Sequence, residues 1–486
     1  MPGKFEAPRN GGNRNQRRPR RRRRRRFNPL FLAAAGILLA AVVLVLTMCG
    51  KSDDASQDSR PGHTIAAATE DVVSEPAVVA SATVVSQGDL LMHSYLFTKN
   101  PKYPAAAYIE EGKYNFDSIF QYVKSYVSAA DYAVANLETT FGGSSIGYSG
   151  NPLFNCPDAL ADSVSSAGYD MLLTANNHCV DTGAAGVKRT LEQVRSRNLA
   201  TLGTQMDETE KKYAVVDVNG IQLGMLCYTY AGGTEADGSP NFNLNAATVL
   251  RETGLVNYFT VNKLDQFYSE MQAHLENMRA EGAEMTILFI HWGTEYTLSA
   301  GEYTMMEDAT QRTIAQKMCD LGVDVIVGGH PHVVEPMDLL TSNTDPAHKT
   351  VCIYSLGNAV SNQRREEMNM KTGHTEDGAI FSVTFEKYSD GTVAVADVDV
   401  IPTWVNKFTN GDGKVEYNIL PLDDTKQDQW KTLYNLSDSL YAETQNSYSR
   451  TMAIVGAGLT KCQDHFRQAK GGPEQDIQPE TTLPAA

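Results

Sequence analysis

Short polar motifs follow apolar, strand-like runs at five places between residues 88 and 332, and this arrangement most constrains the fold. The motifs are Gly88-Asp89, Asn136-Leu137-Glu138, Asn176-Asn177-His178, His291-Trp292-Gly293 and Gly329-His330-Pro331-His332. In an α/β protein the strand ends share one edge of the sheet, and functional sites gather there. Carboxylate, amide and imidazole groups at one edge are suitable ligands for a divalent metal ion. The pattern therefore predicts a metal site built on a sheet.

The motif with two histidines around Pro331 is the strongest of the five. Proline fixes φ between His330 and His332, and the preceding glycines allow the backbone to approach a ligand closely. His291 ends the apolar run ILFI, where an imidazole is costly unless it finds a partner. Carboxylates and amides after strands are weaker signals, because they also serve in turns. The histidines therefore favour metal or substrate binding over a structural role.

Strand and helix signals alternate in the first part of the chain, and hairpin-like strands follow. Strands are predicted at 83–87, 132–135, 169–174, 285–290, 323–327, 351–355, 379–386 and 393–400, and helices at 116–130, 158–167, 184–197, 262–281 and 310–321. Asn219-Gly220 between two alternating runs predicts a hairpin, and 425–448 is a polar helix candidate. This α/β pattern predicts a mixed sheet, or two sheets packed together and flanked by helices.

The N-terminal 26 residues are strongly basic, with 12 Lys and Arg against one acid, although the whole chain has a net charge of −16. The acidic remainder argues against nucleic acid as a partner. A 19-residue apolar core lies within the uncharged segment from Phe27 to Gly50, long enough to span a ~30 Å hydrocarbon layer. Arginines on one side of it predict a single-pass cell-membrane protein with a cytoplasmic N-terminus and an extracellular main domain.

Other interpretations of the basic head are weaker. A cleaved signal peptide would have a shorter apolar region and a small-residue cleavage site. A lipoprotein site at Cys49 would follow a small residue, whereas Met48 stands there. An arginine tract that binds nucleic acid is a third alternative. A topology signal that also contacts anionic lipid is favoured over these.

The seven cysteines show no spacing typical of a disulfide framework. Cys227 and Cys352 lie in strand-like runs and are predicted to be buried free thiols.

Six segments are predicted along the chain. They are a basic cytoplasmic head (1–26), a transmembrane anchor (27–49), a disordered linker (50–81), the main domain (82–406), a partly helical C-terminal extension (407–470) and a disordered tail (471–486).

Six ordered motifs between Thr83 and Asn358 resemble the CapA family of poly-gamma-glutamate capsule biosynthesis proteins. They are GDLLMH, NLE, NNHCVDTG, HWGTEY, GGHPHV and YSLGN. That family belongs to the calcineurin-like metallophosphatase superfamily. The resemblance implies a four-layer α/β/β/α metallophosphatase-like sandwich with a two-metal site at the strand ends.

The resemblance also implies roles for individual residues. The implied metal ligands are Asp89, Glu138, Asn177, His291, His330 and His332. His178 matches the catalytic histidine, and Asp181 is its candidate orienting partner. Further candidates are His93, Glu295 and Asn358. The expected cofactor is one or two divalent metal ions, with Mn, Fe or Zn suited to mixed nitrogen and oxygen ligands.

Two departures from the superfamily pattern are visible. Its first motif is Asp-x-His, but Leu90 and Leu91 follow Asp89, so His93 is the candidate replacement. Glu138 stands where the superfamily has a metal-bridging aspartate and is one methylene longer.

Two functions are compatible with such a site. The resemblance implies synthesis, export or anchoring of an anionic capsule polymer such as poly-gamma-glutamate, with the polymer and other membrane subunits of a polymer synthase as partners. The alternative is a metal-dependent phosphoester hydrolase, in which metal-activated water attacks and His178 protonates the leaving oxygen. The sequence leaves both open and slightly favours polymer handling, because the histidine of Asp-x-His is missing.

Overall fold

A computed structural model describes residues 76–234, 240–244, 248–249, 253–295 and 306–470, and most of its strands belong to two large sheets. The strands are β1 (Val78–Leu90), β2 (Tyr108–Glu110), β3 (Lys113–Tyr114), β4 (Tyr132–Asn136), β5 (Met171–Leu173), β6 (Ala200–Leu202), β7 (Tyr213–Val218), β8 (Ile221–Tyr230), β9 (Gly232–Thr234), β10 (Pro240–Leu244), β11 (Thr248–Val249), β12 (Tyr258–Phe259), β13 (Met285–His291), β14 (Val325–Gly329), β15 (Val334–Thr341), β16 (Lys349–Leu356), β17 (Asn358–Val360), β18 (Asp377–Tyr388), β19 (Val393–Thr409) and β20 (Val415–Pro421).

The α-helices lie mainly between the strands. They are α1 (Asp117–Phe120), α2 (Lys124–Val127), α3 (Ala159–Ala167), α4 (Gly183–Arg195), α5 (Leu264–Ala280), α6 (Ala309–Leu321), α7 (Arg365–Met368), α8 (Trp430–Leu433) and α9 (Asp438–Ala469).

The first large sheet has the strand order β20-β19-β18-β1-β4-β5-β6, with β17 beside the end of β1. Strands β1, β4, β5 and β6 are parallel to their neighbours in this run, whereas β18 to β20 pair antiparallel. The carboxyl ends of β1, β4 and β5 therefore meet at one edge.

The second large sheet has the order β12-β8-β13-β14-β16-β15, with β7 beside β8. Strands β8, β13, β14 and β16 are parallel. The register places His291, the last residue of β13, beside Gly329, the last residue of β14. This sheet therefore also brings its polar motifs together at one edge.

Because side chains alternate along each strand, one face of each sheet contributes to a core that the two sheets share. Val84 of the first sheet and Ile287 of the second belong to one buried cluster, while the neighbouring Val85 and Leu288 belong to separate clusters on the outer faces. Helices α1 to α3 contribute to the first outer cluster, and α5 and α6 to the second. Each fully buried aliphatic side chain contributes about 1.5–3 kcal/mol. The protein is a mixed α/β sandwich, as the sequence pattern predicts.

Two local predictions are confirmed. Asn219 and Gly220 have positive φ, +54° and +88°, and join β7 to β8 as a tight hairpin. Among the residues that the structure describes, Cys227 and Cys352 are buried free thiols, as are Cys156, Cys179, Cys319 and Cys462.

The C-terminal helix differs most from the sequence prediction. The candidate helix spans 425–448, but α9 begins after Ser437, whose side chain accepts a hydrogen bond from the Leu440 amide, and it continues to Ala469. Its buried face includes Val455 and Leu459, which join the core between the sheets. Burial of this apolar face stabilises the helix beyond residue 448, where the polar helix candidate ends. Strand β19 also runs across the predicted domain boundary at residue 406.

No α-helix in the described part of the chain is long and apolar enough to cross a membrane. This finding corrects the predicted localisation of a single-pass cell-membrane protein with an extracellular main domain. The segment 27–49, on which that prediction depends, lies outside the described residues, as do the basic head and the tail from residue 471.

Candidate metal centre

The strand ends of both sheets deliver polar side chains to one buried place. Asp89 lies near the end of β1, and the β-sheet register pairs it with Asn136 of β4 and with Asn358 of β17. Glu138 follows β4 by two residues. His291 ends β13 and His330 follows β14. Residues far apart in the sequence are thereby brought together by the two sheets.

One group of ligand-type side chains consists of Glu138, His291 and His330. His291 Nε2 lies 3.4 Å from Glu138 Oε1 and 3.2 Å from His330 Nδ1. Asn177 joins this group, since its Oδ1 lies 2.8 Å from the same nitrogen of His291. Four of the predicted ligands therefore converge on one point.

A second group consists of Asp89, Glu138 and His332. His332 Nδ1 lies 3.5 Å from Asp89 Oδ2, and its Nε2 lies 3.9 Å from Glu138 Oε1. All six predicted ligands thus belong to, or contact, one of two adjacent groups. Glu138 is the residue that the two groups share.

Among the candidate ligands, Glu138 gives the clearest indication that this site could hold a cation. It is fully buried, and among the residues that the structure describes neither carboxylate oxygen has a hydrogen-bond partner. Burial, together with the nearby Asp89 and Glu295 carboxylates, raises its pKa well above the ordinary value. A buried carboxylate in this setting is costly unless a positive charge compensates for it. A divalent ion between the two groups would supply that charge.

The donor chemistry and spacing also fit a metal ion. Burial lowers the pKa of His291 to about 3 and the pKa of His330 well below its ordinary value, so both are neutral imidazoles, the form that binds a metal ion. Ligands held 2.0–2.2 Å from a metal ion lie about 3.0–3.5 Å from one another. The separations of 3.2 and 3.4 Å around His291 match that range.

Asp89 and His332 are coupled across the second group. Burial alone would raise the pKa of Asp89, but the adjacent His332 and His291 hold it below its ordinary value. Burial opposes charge on His332 as well, yet Asp89 and Glu295 raise the pKa of this imidazole. The pair therefore favours an ionised Asp89, which is the form that binds a cation, and a protonated His332, which would have to lose a proton to become a ligand.

The backbone of the histidine motif is strained. His330 has φ of +104° and His332 has φ of +59°, in a region that residues with a Cβ rarely occupy. Gly329 lets the backbone approach the carboxylate, because a Cβ there would lie 3.0 Å from Asp89 Oδ1. Backbone strain of this kind clusters at functional sites, where the surrounding structure maintains it.

His178 and Asp181 form a dyad beside the ligand groups. His178 Nδ1 donates a hydrogen bond to Asp181 Oδ2 at 2.7 Å, and both side chains are buried. The same oxygen accepts the Phe154 amide at 2.6 Å, and the Phe154 ring packs edge-on to the imidazole. This arrangement fixes the His178 ring and directs Nε2 away from the carboxylate.

The three further candidates occupy different positions. Glu295 Oε1 lies 3.8 Å from His330 Nδ1 and 3.9 Å from His332 Nε2, at the margin of both groups. Asn358 Oδ1 lies 3.0 Å from His332 Nδ1, behind the ring. His93 is in neither ligand group, and its Nδ1 lies 3.3 Å from the Leu91 carbonyl and the Asn362 amide. The replacement of the Asp-x-His histidine by His93 stays a prediction.

Two supporting residues are absent from the candidates derived from the sequence. Asn136 Nδ2 donates to Asp89 Oδ1 at 2.7 Å, and its own Oδ1 accepts from Asn176. Its position at the end of β4, two residues before Glu138, could have indicated this. Phe154 lies in an irregular loop without any motif, so no signal in the sequence points to it.

The fold and this site together define a class: a mixed α/β sandwich with a buried candidate metal centre at the strand ends. The family described as bacterial capsule synthesis protein PGA_cap matches residues 83–363. This range includes every predicted ligand, and the chain belongs to that family.

Two bacterial relatives are similar over much of this range. The PGA biosynthesis protein CapA of Bacillus subtilis (strain 168) is 27% identical over 293 residues, which cover 58% of this chain and 65% of the relative. The capsule biosynthesis protein CapA of Bacillus anthracis is 25% identical over 299 residues, which cover 60% and 62%. The chain thus spans somewhat less than two thirds of each relative.

Similarity to solved structures is weak. The crystal structure of TT1561 of Thermus thermophilus has a TM-score of 0.30 and 9% sequence identity, covering 63% of this chain and 94% of that one. A TM-score this low supports no argument about fold or function.

Proposed function

We propose that this protein acts in the synthesis or handling of an anionic capsule polymer such as poly-gamma-glutamate, through a divalent metal centre. The observation that carries the proposal is Glu138, which is buried, shared by the two ligand groups and without a hydrogen bond from any described residue. The names of the two bacillary relatives, and membership of the capsule synthesis family, support the choice of polymer. The partners we propose are the polymer and other subunits of a polymer synthase.

We also propose that the sandwich is of the four-layer metallophosphatase type. The shared core between two sheets and the helix-bearing clusters on their outer faces support this. In this arrangement Asn177, His291, His330 and Glu138 would hold one ion, and Asp89, His332 and Glu138 would hold a second. Mn, Fe and Zn suit these mixed nitrogen and oxygen ligands.

The charge of the protein explains why metal would matter for such a substrate. The chain has a net charge of −16, and the carboxyl groups of Asp89, Glu138 and Glu295 lie at the site itself. A polymer of carboxylates would be repelled by this surface in the absence of cations. Bound divalent metal supplies open coordination positions for carboxylate oxygens. Binding of the polymer should therefore depend on metal.

A binding assay on the full-length protein tests this role. Protein stripped with a chelator and reloaded with Mn²⁺ or Zn²⁺ should bind fluorescent poly-gamma-glutamate, and stripped protein should not. Glu138→Gln should lose this binding. Glu335→Gln changes another buried glutamate outside both ligand groups and should retain it. Equal binding by stripped and reloaded protein would refute a metal-dependent role.

A second function, phosphoester hydrolysis, is supported by the His178–Asp181 dyad. Its geometry suits a general acid, because Asp181 binds one ring nitrogen and thereby orients the imidazole for proton transfer to a leaving oxygen. Metal would supply an activated water as the nucleophile. A carboxylate-binding role has no evident need for this dyad, so the hydrolytic alternative remains specific and testable.

A phosphodiesterase assay separates the two functions. If the protein is a hydrolase, metal-loaded wild type should cleave bis(p-nitrophenyl) phosphate faster than free metal does. His178→Ala should then keep its metal, but its turnover should fall by about 10²–10⁴-fold. Asp181→Asn should also keep its metal and turn over more slowly than wild type. If wild type shows no turnover but binds the polymer with metal, polymer handling is favoured.

A further inference from the structure

A buried amide, Asn358, determines how one of the candidate ligands is presented. Its Nδ2 is surrounded by three acceptors, the carbonyl oxygens of His332 and Thr375 and the Gln363 Oε1, at 3.0–3.3 Å. This surrounding fixes the orientation of the amide, so that Oδ1 must face His332. At 3.0 Å, Oδ1 is the nearer of two acceptors beside His332 Nδ1, since Asp89 Oδ2 lies 3.5 Å away, and it accepts the proton of that nitrogen. The other ring nitrogen, Nε2, is then left to face Glu138.

The segment that holds Asn358 is packed tightly against it. Gly357 pairs with Gly378 in a β-bridge, and a Cβ at Gly378 would overlap the Asn358 carbonyl oxygen. Thr375 supplies one of the acceptors for Asn358 Nδ2. Residues 375–378 therefore have little freedom to move without displacing Asn358.

An arginine of the C-terminal helix secures this segment. Arg450 of α9 donates to both oxygens of Asp377, at 2.8 and 2.7 Å, and Ser447 donates to Asp377 Oδ1 at 2.6 Å. The side chain of Asp377 is 2% exposed and that of Arg450 is 18% exposed. A two-point arginine–carboxylate pair with this burial gives geometric specificity as well as energy.

We propose that α9 belongs to the support of the metal centre, with Arg450 and Asn358 acting as positioning residues for His332. The connection runs from Arg450 through Asp377 and the backbone of 375–378 to Asn358 and then to the ring. Residues that orient a ligand imidazole through its second nitrogen tune metal affinity by about 10–100-fold. The segment that matches the family ends at residue 363. Helix α9 lies after this segment, so the proposal gives a role to a part of the chain that the family match does not cover. The inference rests on the proposed metal centre but not on the polymer or the reaction.

The experiment uses the full-length protein and Co²⁺ alone, titrated while visible absorption and melting temperature are recorded. Asn358→Ala should weaken Co²⁺ binding by about 10–100-fold and change the absorption spectrum at saturation. Arg450→Gln should do the same to a smaller extent, and Arg450→Lys, which keeps the charge, should recover part of the loss. The double variant should lose less affinity than the two single losses combined, because both act through His332.

Arg197→Gln is the matched control. Arg197 is similarly buried, at 19% side-chain exposure, and also contacts both oxygens of an aspartate, Asp162. The Arg197→Gln variant should change the melting temperature without changing the Co²⁺ affinity or the absorption spectrum. If Arg450→Gln does not fold, Ser447→Ala removes one hydrogen bond to Asp377 and provides the same test.

The possible outcomes distinguish failure of the positioning role from failure of the metal centre. Lower melting temperatures for the Asn358 and Arg450 variants, with the affinity and spectrum of wild type, would overturn the positioning role alone. Additive losses in the double variant would overturn the connection between the two residues. A wild-type protein that binds no Co²⁺ would overturn both the metal centre and the inference.

Discussion

Glu138 Oε1 lies 3.4 Å from His291 Nε2, although the two residues come from different sheets. The contact joins the residues that follow β4 to the end of β13. Because no hydrogen bond satisfies Glu138 within the described residues, this contact is better explained by a shared cation than by packing. The packing of the two sheets therefore assembles the side chains that could hold a metal ion.

Metal stoichiometry should distinguish Glu138 from its neighbours. Glu138 is common to both ligand groups, whereas His330 belongs to one. Glu138→Ala should therefore lose all tightly bound metal, and His330→Ala should lose the metal of one group. Elemental analysis after dialysis against limiting Mn²⁺ or Zn²⁺ measures this. His348→Ala, which alters a histidine bonded to the Val323 carbonyl, should retain the wild-type content. Full metal content in Glu138→Ala would exclude the shared-ligand role.

Asn136→Ala should weaken metal binding without removing a ligand. The Asn136 amide donates to Asp89, and its loss leaves a buried carboxylate less well oriented. A loss of about 10-fold or more in affinity is expected, visible as a smaller rise in melting temperature on adding metal. Asn418→Ala removes another buried amide, bonded to the Ser118 carbonyl, and should leave the metal-induced rise intact. An unchanged rise in both variants would show that Asn136 has no part in orienting Asp89.

The sequence predicts the two-sheet α/β architecture because buried strands have strong apolar runs and tight turns have distinctive residues. Asn219-Gly220 is such a case, since the positive φ of both residues is expected from their types. The extent of α9 is not predictable in this way. Its register depends on Gly458 meeting the β15 backbone and on Arg450 meeting Asp377, contacts between residues far apart in sequence.

The ligand set is predictable for a similar reason, because each ligand lies at a recognisable strand end. The sequence does not show how these side chains divide into two groups, since that depends on how the sheets are packed. It also cannot place His93, which is four residues after Asp89 but turns towards the backbone of Asn362. Supporting contacts from loops, such as Phe154 to Asp181, leave no pattern in the sequence.

Gly458 should tolerate no side chain, although Gly456 on the same helix should. A Cβ at Gly458 would overlap the Met337 carbonyl oxygen of β15, whereas at Gly456 the nearest atom would be 3.9 Å away. Gly458→Ala should destabilise the protein by about 1–3 kcal/mol through overpacking. Gly456→Ala should stabilise it by roughly 0.5–1 kcal/mol, because alanine favours the helix. Urea unfolding of both variants measures the difference, and equal effects would contradict close packing of α9 on β15.

Glu335 should make stability depend on pH between about 5 and 8. Burial raises the pKa of Glu335 to about 8, with Asp308 and Glu307 adding to the effect, although a hydrogen bond from Gln311 opposes it. Because this folded-state pKa exceeds that of an unfolded glutamate, the protonated form favours folding. Its contribution is complete below about pH 4.5 and is lost as pH rises towards 8, by about 1.4 kcal/mol per pH unit at most.

Glu335→Gln should remove this pH dependence, because the amide cannot ionise and can still accept the hydrogen bond from Gln311. Urea midpoints measured in chelator at pH 5.5, 7.0 and 8.5 should fall with rising pH for wild type and change less for the variant. Glu276→Gln alters a glutamate on the α5 surface, which hydrogen-bonds Gln272, and should keep the wild-type slope. Parallel slopes for wild type and Glu335→Gln would show that this carboxyl does not control the pH response.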